Sequence, residues 1–277
     1  MFSGQVTRIK DVSDPRIAPY VSVRERDLTG GADGRFIVEG KVPLHILLSR
    51  SRFEVESLFL CETRLEPLAD LLSKVSPEVP IYTAPQSLMD EIVGFPIHRG
   101  VLACAKKGEA IGLEALIYSH PGIRSDAQKR TLLVLNQISN HDNVGAAFRN
   151  AAAFGADGVI LDSGSCDPLY RKSIRVSSGT SLWLPYHHGG TGLEQIETLK
   201  AAGYTIWAMT PRAEAVSLYD LPVPDKLAVM LGAEGPGLPE RLIHAATAVR
   251  IPMSAGFDSV NVATAGAIAM SHVFRPR

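Results

Sequence analysis

The chain has 277 residues, of which 45% are hydrophobic, and its 28 Lys and Arg nearly balance 29 Asp and Glu for a net charge of −1. This length and apolar content suit one or two domains with real cores, and no apolar run approaches the ~18 residues that a membrane-spanning helix needs. A near-neutral balance in both halves excludes a global basic field, so any nucleic-acid contact has to be a local patch.

The opening MFSGQVTRIKDVSDPRIAPY carries acids and prolines and no apolar stretch behind its first basic residues. It does not read as a secretory signal, so a cytoplasmic location is expected, with residues 1–30 as an N-terminal extension. From Arg35 to Lys107, β-rich runs (FIVEG, ESLFLCE, PIYTA, GVLACAKK) alternate with helix-like segments (PLHILLSR, LEPLADLLSKV, SLMDEIVG). That rhythm predicts a small α/β domain over 31–107. Residues 108–130 turn charged and turn-forming around one short apolar piece, as a linker would. The second domain, 131–277, is read from runs such as TLLVLNQI, DGVILD, YTIWAMT, KLAVMLG and AVRIPM, which are apolar on both parities. Such strands, separated by helices, indicate a mostly parallel sheet buried on both faces. Cys61, Cys104 and Cys166 stand far apart without CxxC spacing, which argues against a disulfide framework or a thiolate zinc site. The adjacent His187 and His188 in HHGG lack further ligands and read as an exposed turn, so no metal is expected.

In a parallel sheet, ligands bind beyond the carboxyl ends of the strands, and three loops there stand out. NHDNVGAAFRNA holds Asn140 and Asn143, amides suited to a turn or a cap, and Arg149, a cation on an otherwise Ala-, Phe- and Val-rich helix. Arg149 needs an anion, either a structural ion-pair partner or a phosphate or ribose. LGAEGPGLPERL follows a strand with Gly232, Gly235 and Gly237. It is neither a GK[ST] phosphate loop nor GxGxxG, and Glu234 within it wants a cation, for which Arg149 is the candidate. IPMSAGFDSVNVATAGAIAM ends a strand, offers Ser259 as an N-cap and Asn261 as an amide near the helix start, then runs into Ala263, Gly266 and Ala267. Small residues of this kind permit close packing inside the molecule or between subunits.

Together these segments resemble the three signature motifs of the SpoU-type (SpoU/TrmH) RNA 2′-O-ribose methyltransferases of the SPOUT superfamily. The first motif falls on Asn140, Asn143, Gly145, Arg149 and Ala151, with His141 where proline is usual. The second falls on Leu231, Gly232, Glu234, Gly237 and Leu238, and the third on Ile251, Pro252, Met253, Ser259, Asn261 and Val262, with Val260 for the commoner leucine. RVSSGTSLWLP, with Arg175, Ser177, Gly179 and Pro185, is a lesser family-like stretch, and FIVEGKVPLHILL and HRGVLACA resemble the family's substrate-binding domain. The resemblance implies a C-terminal trefoil knot, a homodimer and an RNA substrate, ribosomal first and transfer RNA second. It also implies S-adenosylmethionine held by Leu231, Gly232, Gly237, Ile251, Met253 and Val260. Catalytic roles fall to Arg149, Asn140, Glu234, Ser259 and Asn261. A guanidinium with a pKa above about 12 makes a poor base, so Arg149 is expected to bind the target phosphate or ribose, oriented by Glu234, while Ser259 and Asn261 fix the ribose. The rival reading is an RNA-binding protein that keeps the fold without the reaction.

Overall fold

The computed structural model describes residues 6–23, 34–118 and 129–274. Parts of the expected extension (1–5 and 24–30) and of the expected linker (119–128) lie outside the described residues. In chain order the elements are β1 (Val6–Arg8), β2 (Arg35–Glu39), α1 (Lys41–Ser49), β3 (Val55–Cys61), α2 (Ala69–Leu72), β4 (Ile81–Ala84), α3 (Gln86–Val93), β5 (Val101–Lys106), α4 (Leu113–Tyr118) and β6 (Arg130–Leu135). They continue with α5 (His141–Ala153), β7 (Gly158–Leu161), α6 (Arg171–Val176), β8 (Tyr186–His188), α7 (Gly192–Ala201), β9 (Thr205–Met209), β10 (Val216–Ser217), β11 (Lys226–Leu231), α8 (Glu240–His244), β12 (Thr247–Arg250) and α9 (Val262–Val273). They fall into two compact units, Met1–Glu109 with Leu169–Trp183, and Ala110–Pro168 with Leu184–Arg277.

The first unit is built on a sheet of order β1-β4-β3-β5-β2. β1 and β3 run parallel to β4, whereas β5 is antiparallel to both β3 and β2. Its core gathers Ile37, Phe59, Leu102, Met89 and Ile92 from strands and from α3. Ile9, Ile17, Tyr20 and Val23 are fully buried in the same core, so the stretch read as an extension belongs to this unit. The Asp- and Pro-rich composition that looks loop-like makes a 3-10 turn over Pro15–Tyr20. Asp14 caps it by accepting from the Arg16 backbone N–H at 3.0 Å, and the Arg16 side chain holds the Asp14 carboxyl down at about 2. Ile17 and Tyr20, three residues apart, then share the inward side. The Tyr20 hydroxyl meets Ser57 Oγ at 2.8 Å and accepts from the Cys104 N–H at 3.1 Å.

Leu169–Trp183, expected inside the second domain, also sits in the first unit. The reason is charge as well as packing. Glu39 at the end of β2 is only 5% exposed, and Arg171 on α6 donates to it at 2.5 Å while Arg175 lies 3.6 Å away. A carboxylate so far from water needs such partners. Gly179, at φ +82°, fits against Ile46, and the Arg50 guanidinium lies 3.5 Å over the Trp183 ring.

The second unit carries a sheet of order β10-β12-β9-β11-β6-β7-β8 in which every registered pair is parallel. Both faces are apolar, as the strand patterns predict. Leu132, Val134, Ala228 and Met230 point to one core with Leu116 of α4, Ile196 and Leu199 of α7, and Leu242 of α8. The opposite parity, Leu133, Leu135, Val229 and Leu231, is equally buried, and on that side α9 packs on α5 and on β11. Gly266 explains how closely α9 approaches, because a Cβ there would stand 2.8 Å from Leu231 Cδ1. The chain runs outward from β6 through β7 to β8, then returns so that β11 inserts between β6 and β9. That reversal opens a crevice at the carboxyl ends of β9, β11 and β12.

Candidate active site

Three strand ends build the site. β11 finishes at Leu231, and the chain folds back on itself so that Gly237 N–H donates to Ala233 O at 3.0 Å. The return strand of this loop passes directly over Gly232, where a Cβ would lie 2.4 Å from both Gly237 C and Leu238 N. Any side chain there collides with backbone, so only glycine permits the turn. Gly237 is needed for a different reason, its φ of +71°.

Beyond β12 an extended stretch, Ile251 to Val260, leads to α9, and beyond β9 come Thr210 to Arg212. Between these three segments lies a cavity of about 440 Å³. It is lined by Met209, Thr210 and Arg212, by Leu231 through Leu238, and by Ile251, Met253, Ser259, Val260 and Asn261.

A polar cluster stands at its edge. Asn143, buried in the first turn of α5, donates through Nδ2 to Glu234 Oε1, and Asn261 Nδ2 donates to the same oxygen at 3.3 Å and to Asn143 Oδ1 at 3.0 Å. Asn261 Oδ1 meanwhile accepts from the N–H groups of Ala263 and Thr264 at 2.9 and 3.3 Å, capping α9. One residue from each of three distant segments is thereby fixed against the other two. Arg212, also in the cavity lining, makes an end-on pair with both oxygens of Glu240. That contact raises the Arg212 pKa and lowers that of Glu240.

A model of the SpoU rRNA methylase family matches residues 130–271. A tRNA/rRNA methyltransferase of Mycobacterium bovis, itself uncharacterized, is 36% identical over 95% of this chain and 90% of its own length. The chain belongs to the SpoU family of RNA methyltransferases. The SpoU relatives include the 23S rRNA (guanosine-2′-O-)-methyltransferase RlmB of Salmonella typhimurium, 27% identical over 87% of this chain and 98% of that protein. Among solved structures, an AdoMet-bound rRNA methyltransferase from Sinorhizobium meliloti shares the fold with a TM-score of 0.77, at 22% identity and with 98% of each chain covered.

In this SpoU chain, Leu231, Gly232, Gly237, Ile251, Met253 and Val260 all line the cavity, together with Glu234, Ser259 and Asn261. The two residues assigned on α5 do not. Asn140 turns its amide back on its own helix, accepting from Asp142 N–H at 2.8 Å as the N-cap. Arg149 is exposed and makes no ion pair with Glu234, contrary to the expected pairing. The helix explains this, since Arg149 lies six residues past Asn143, about 9 Å along the axis and about 240° around it. Asn150, seven residues on, regains the Asn143 face and donates to Ala263 O at 2.9 Å.

Asn143 therefore takes the place beside Glu234 that was assigned to Arg149. Its position in the first motif was visible in the sequence, but capping residues and site residues look alike there. Ser259 is not the cap of α9, because Asn261 holds that position with its own side chain. Thr210 and Arg212 went unnoticed because YTIWAMTPR ends a strand without glycines; a Thr-Pro-Arg directly after an apolar strand was the available signal.

His187 and His188 are half-buried on β8 and not in an exposed turn. Their ring nitrogens meet Ile111 O at 2.8 Å and Ser165 O at 3.0 Å. Cys61 and Cys104 are buried free thiols, and the Cys166 thiol, pushed up by burial, donates to Ser139 O at 2.8 Å. Among the described residues no group of His, Cys, Asp and Glu side chains could hold a metal ion, and no helix is long and apolar enough to cross a membrane.

Proposed function

We propose that this chain transfers a methyl group from S-adenosylmethionine to a ribose 2′-hydroxyl of RNA, ribosomal RNA before transfer RNA. The observation that carries the reading is the Glu234–Asn143–Asn261 cluster at the edge of a cavity walled by three strand-end loops. The name of the RlmB relative supports the choice of a ribose oxygen, and that of the AdoMet-bound neighbour supports the cofactor.

The cavity suits such a group. At about 440 Å³ it lies within the size of small-molecule sites, and a Cβ on Gly235 or Gly237 would meet nothing within 4 Å, so the loop backbone stays open to a ligand. S-adenosylmethionine, when bound, supplies a methyl carbon made electrophilic by the adjacent sulfonium. The backbone at Leu231, Gly232, Ile251, Met253 and Val260 would hold it, with the apolar side chains of Leu231, Ile251, Met253 and Val260 excluding water. Positioning is then most of the catalytic task. Asn143 and Asn261 hold the Glu234 carboxylate without neutralising it, leaving its second oxygen to orient a ribose hydroxyl. Ser259 fixes the ribose, Asn261 acts through the Glu234 carboxylate that it holds, and water or a phosphate oxygen takes the proton.

Arg149, exposed on α5, keeps the role of binding the target phosphate, now without Glu234 to orient it. Asn140 acts through α5, whose first turn it fixes. RNA recognition is assigned to the first unit. The homodimer and the trefoil knot go with the same reading.

Arg149→Lys tests the assignment. Turnover on RNA is expected to fall about tenfold or more, while affinity for S-adenosylhomocysteine by calorimetry stays unchanged. Weakened cofactor-product binding would refute the role given to Arg149.

A further inference from the structure

Arg212 belongs to no motif that marked the site, yet it is the one cation among the residues lining the cavity, and Glu234 is the one anion. The two sit on different segments, after β9 and after β11. The acid is held by neutral amides only, and Arg212, paired with Glu240 on one side, presents its remaining N–H groups from the other loop, so the two loops offer a ligand opposite polarity. A ligand that carries positive charge at one place and a carboxylate at another would match that polarity.

We propose that Arg212 receives the α-carboxylate of the amino-acid moiety of S-adenosylmethionine, and of the product S-adenosylhomocysteine, with Glu240 as its positioning residue. The inference rests on the cofactor reading above. Glu240 engages Arg212 end-on, through Nη1 and Nη2. A guanidinium has five N–H groups in one plane, so this pair leaves three N–H groups for a second carboxylate without displacing Glu240. Glu240 opens α8 and lies in the exposed part of the pair, so its task is to stop the long Arg212 side chain from swinging into solvent. The arrangement makes affinity depend on the amino-acid end of the cofactor and not only on its adenosine.

The test compares two ligands that share adenosine and a thioether, S-adenosylhomocysteine and 5′-methylthioadenosine, the second of which has no carboxylate. Calorimetry of the wild type, Arg212→Met, Arg212→Lys and Glu240→Gln measures both. The expected result is that Arg212→Met weakens S-adenosylhomocysteine by about tenfold or more and leaves 5′-methylthioadenosine unchanged. Arg212→Lys should recover part of the loss, and Glu240→Gln should cost less than Arg212→Met. The unchanged methylthioadenosine affinity doubles as proof that the variants are folded. Equal weakening of both ligands, or of neither, overturns the role of Arg212 while sparing the cofactor reading. A wild type that binds neither ligand overturns both.

Discussion

Two carboxylates stand just at or past the ends of strands, Glu39 closing β2 in the first unit and Glu234 beyond β11 in the second, and they are treated in opposite ways. Glu39 is buried and answered by two guanidinium groups, Arg171 and Arg175. Glu234 is exposed and answered by two amides, Asn143 and Asn261, which fix its direction and leave its charge. A neutralised, buried acid ties chain segments together; an oriented, unneutralised one beside a cavity is available to a ligand. The same sheet-end position thus ties segments together in one unit and leaves an oriented carboxylate beside a cavity in the other.

Breaking the two acids should separate these roles most widely. Glu39→Ala removes the buried carboxylate that Arg171 and Arg175 meet and should cost about 3 kcal/mol in chemical unfolding, with S-adenosylhomocysteine affinity of the folded protein unaltered. Glu234→Gln should leave the unfolding free energy within about 0.5 kcal/mol and lower methyl transfer about 100-fold. Gly232→Ala comes next, since a methyl at 2.4 Å from backbone must displace the loop. It should cost about 1–3 kcal/mol and remove measurable S-adenosylhomocysteine binding.

Tyr20→Phe sharpens the structural side. It removes the buried hydroxyl that meets Ser57 Oγ and accepts from the Cys104 N–H, a loss of about 1–2 kcal/mol with no change in ligand affinity. Burial pushes the Tyr20 phenol well above its usual 10, so the folded state keeps a proton that the unfolded chain releases. Its contribution is whole below pH ~10 and lost as pH rises beyond that, and the alkaline fall in stability should flatten in the Phe variant. Asn140→Ala has the smallest effect, about 1 kcal/mol from a lost helix cap, read by thermal unfolding.

What the sequence made legible follows from which physical signals are local. The parallel sheet could be read because β6, β7, β9 and β11 are apolar on both parities, and the cavity loops after β11 and β12 because they end strands in glycine or polar residues, a signal that the loop after β9 lacks. The seat of Arg149 was not legible. Its helix phase relative to Glu234 depends on how α5 meets α9, which Asn150 helps to set by donating to Ala263 O, a contact between residues 113 apart in sequence. Residues before 31 were set aside because Asp and Pro look like loop, whereas the burial of Ile17 and Tyr20 is decided by a core assembled from β3, β5 and α3. For the same reason nothing local told that Leu169–Trp183 leaves the surrounding domain to meet Glu39.

The most direct test of the central claim is incubation of wild type and Glu234→Gln with radiolabelled S-adenosylmethionine and unmodified ribosomal and transfer RNA, followed by alkaline hydrolysis. The account predicts label in RNA with wild type, recovered in dinucleotides that resist alkali because their 2′-oxygen is methylated, and a signal about 100-fold lower with Glu234→Gln. Label recovered in alkali-sensitive mononucleotides, or equal transfer by both proteins, would contradict it.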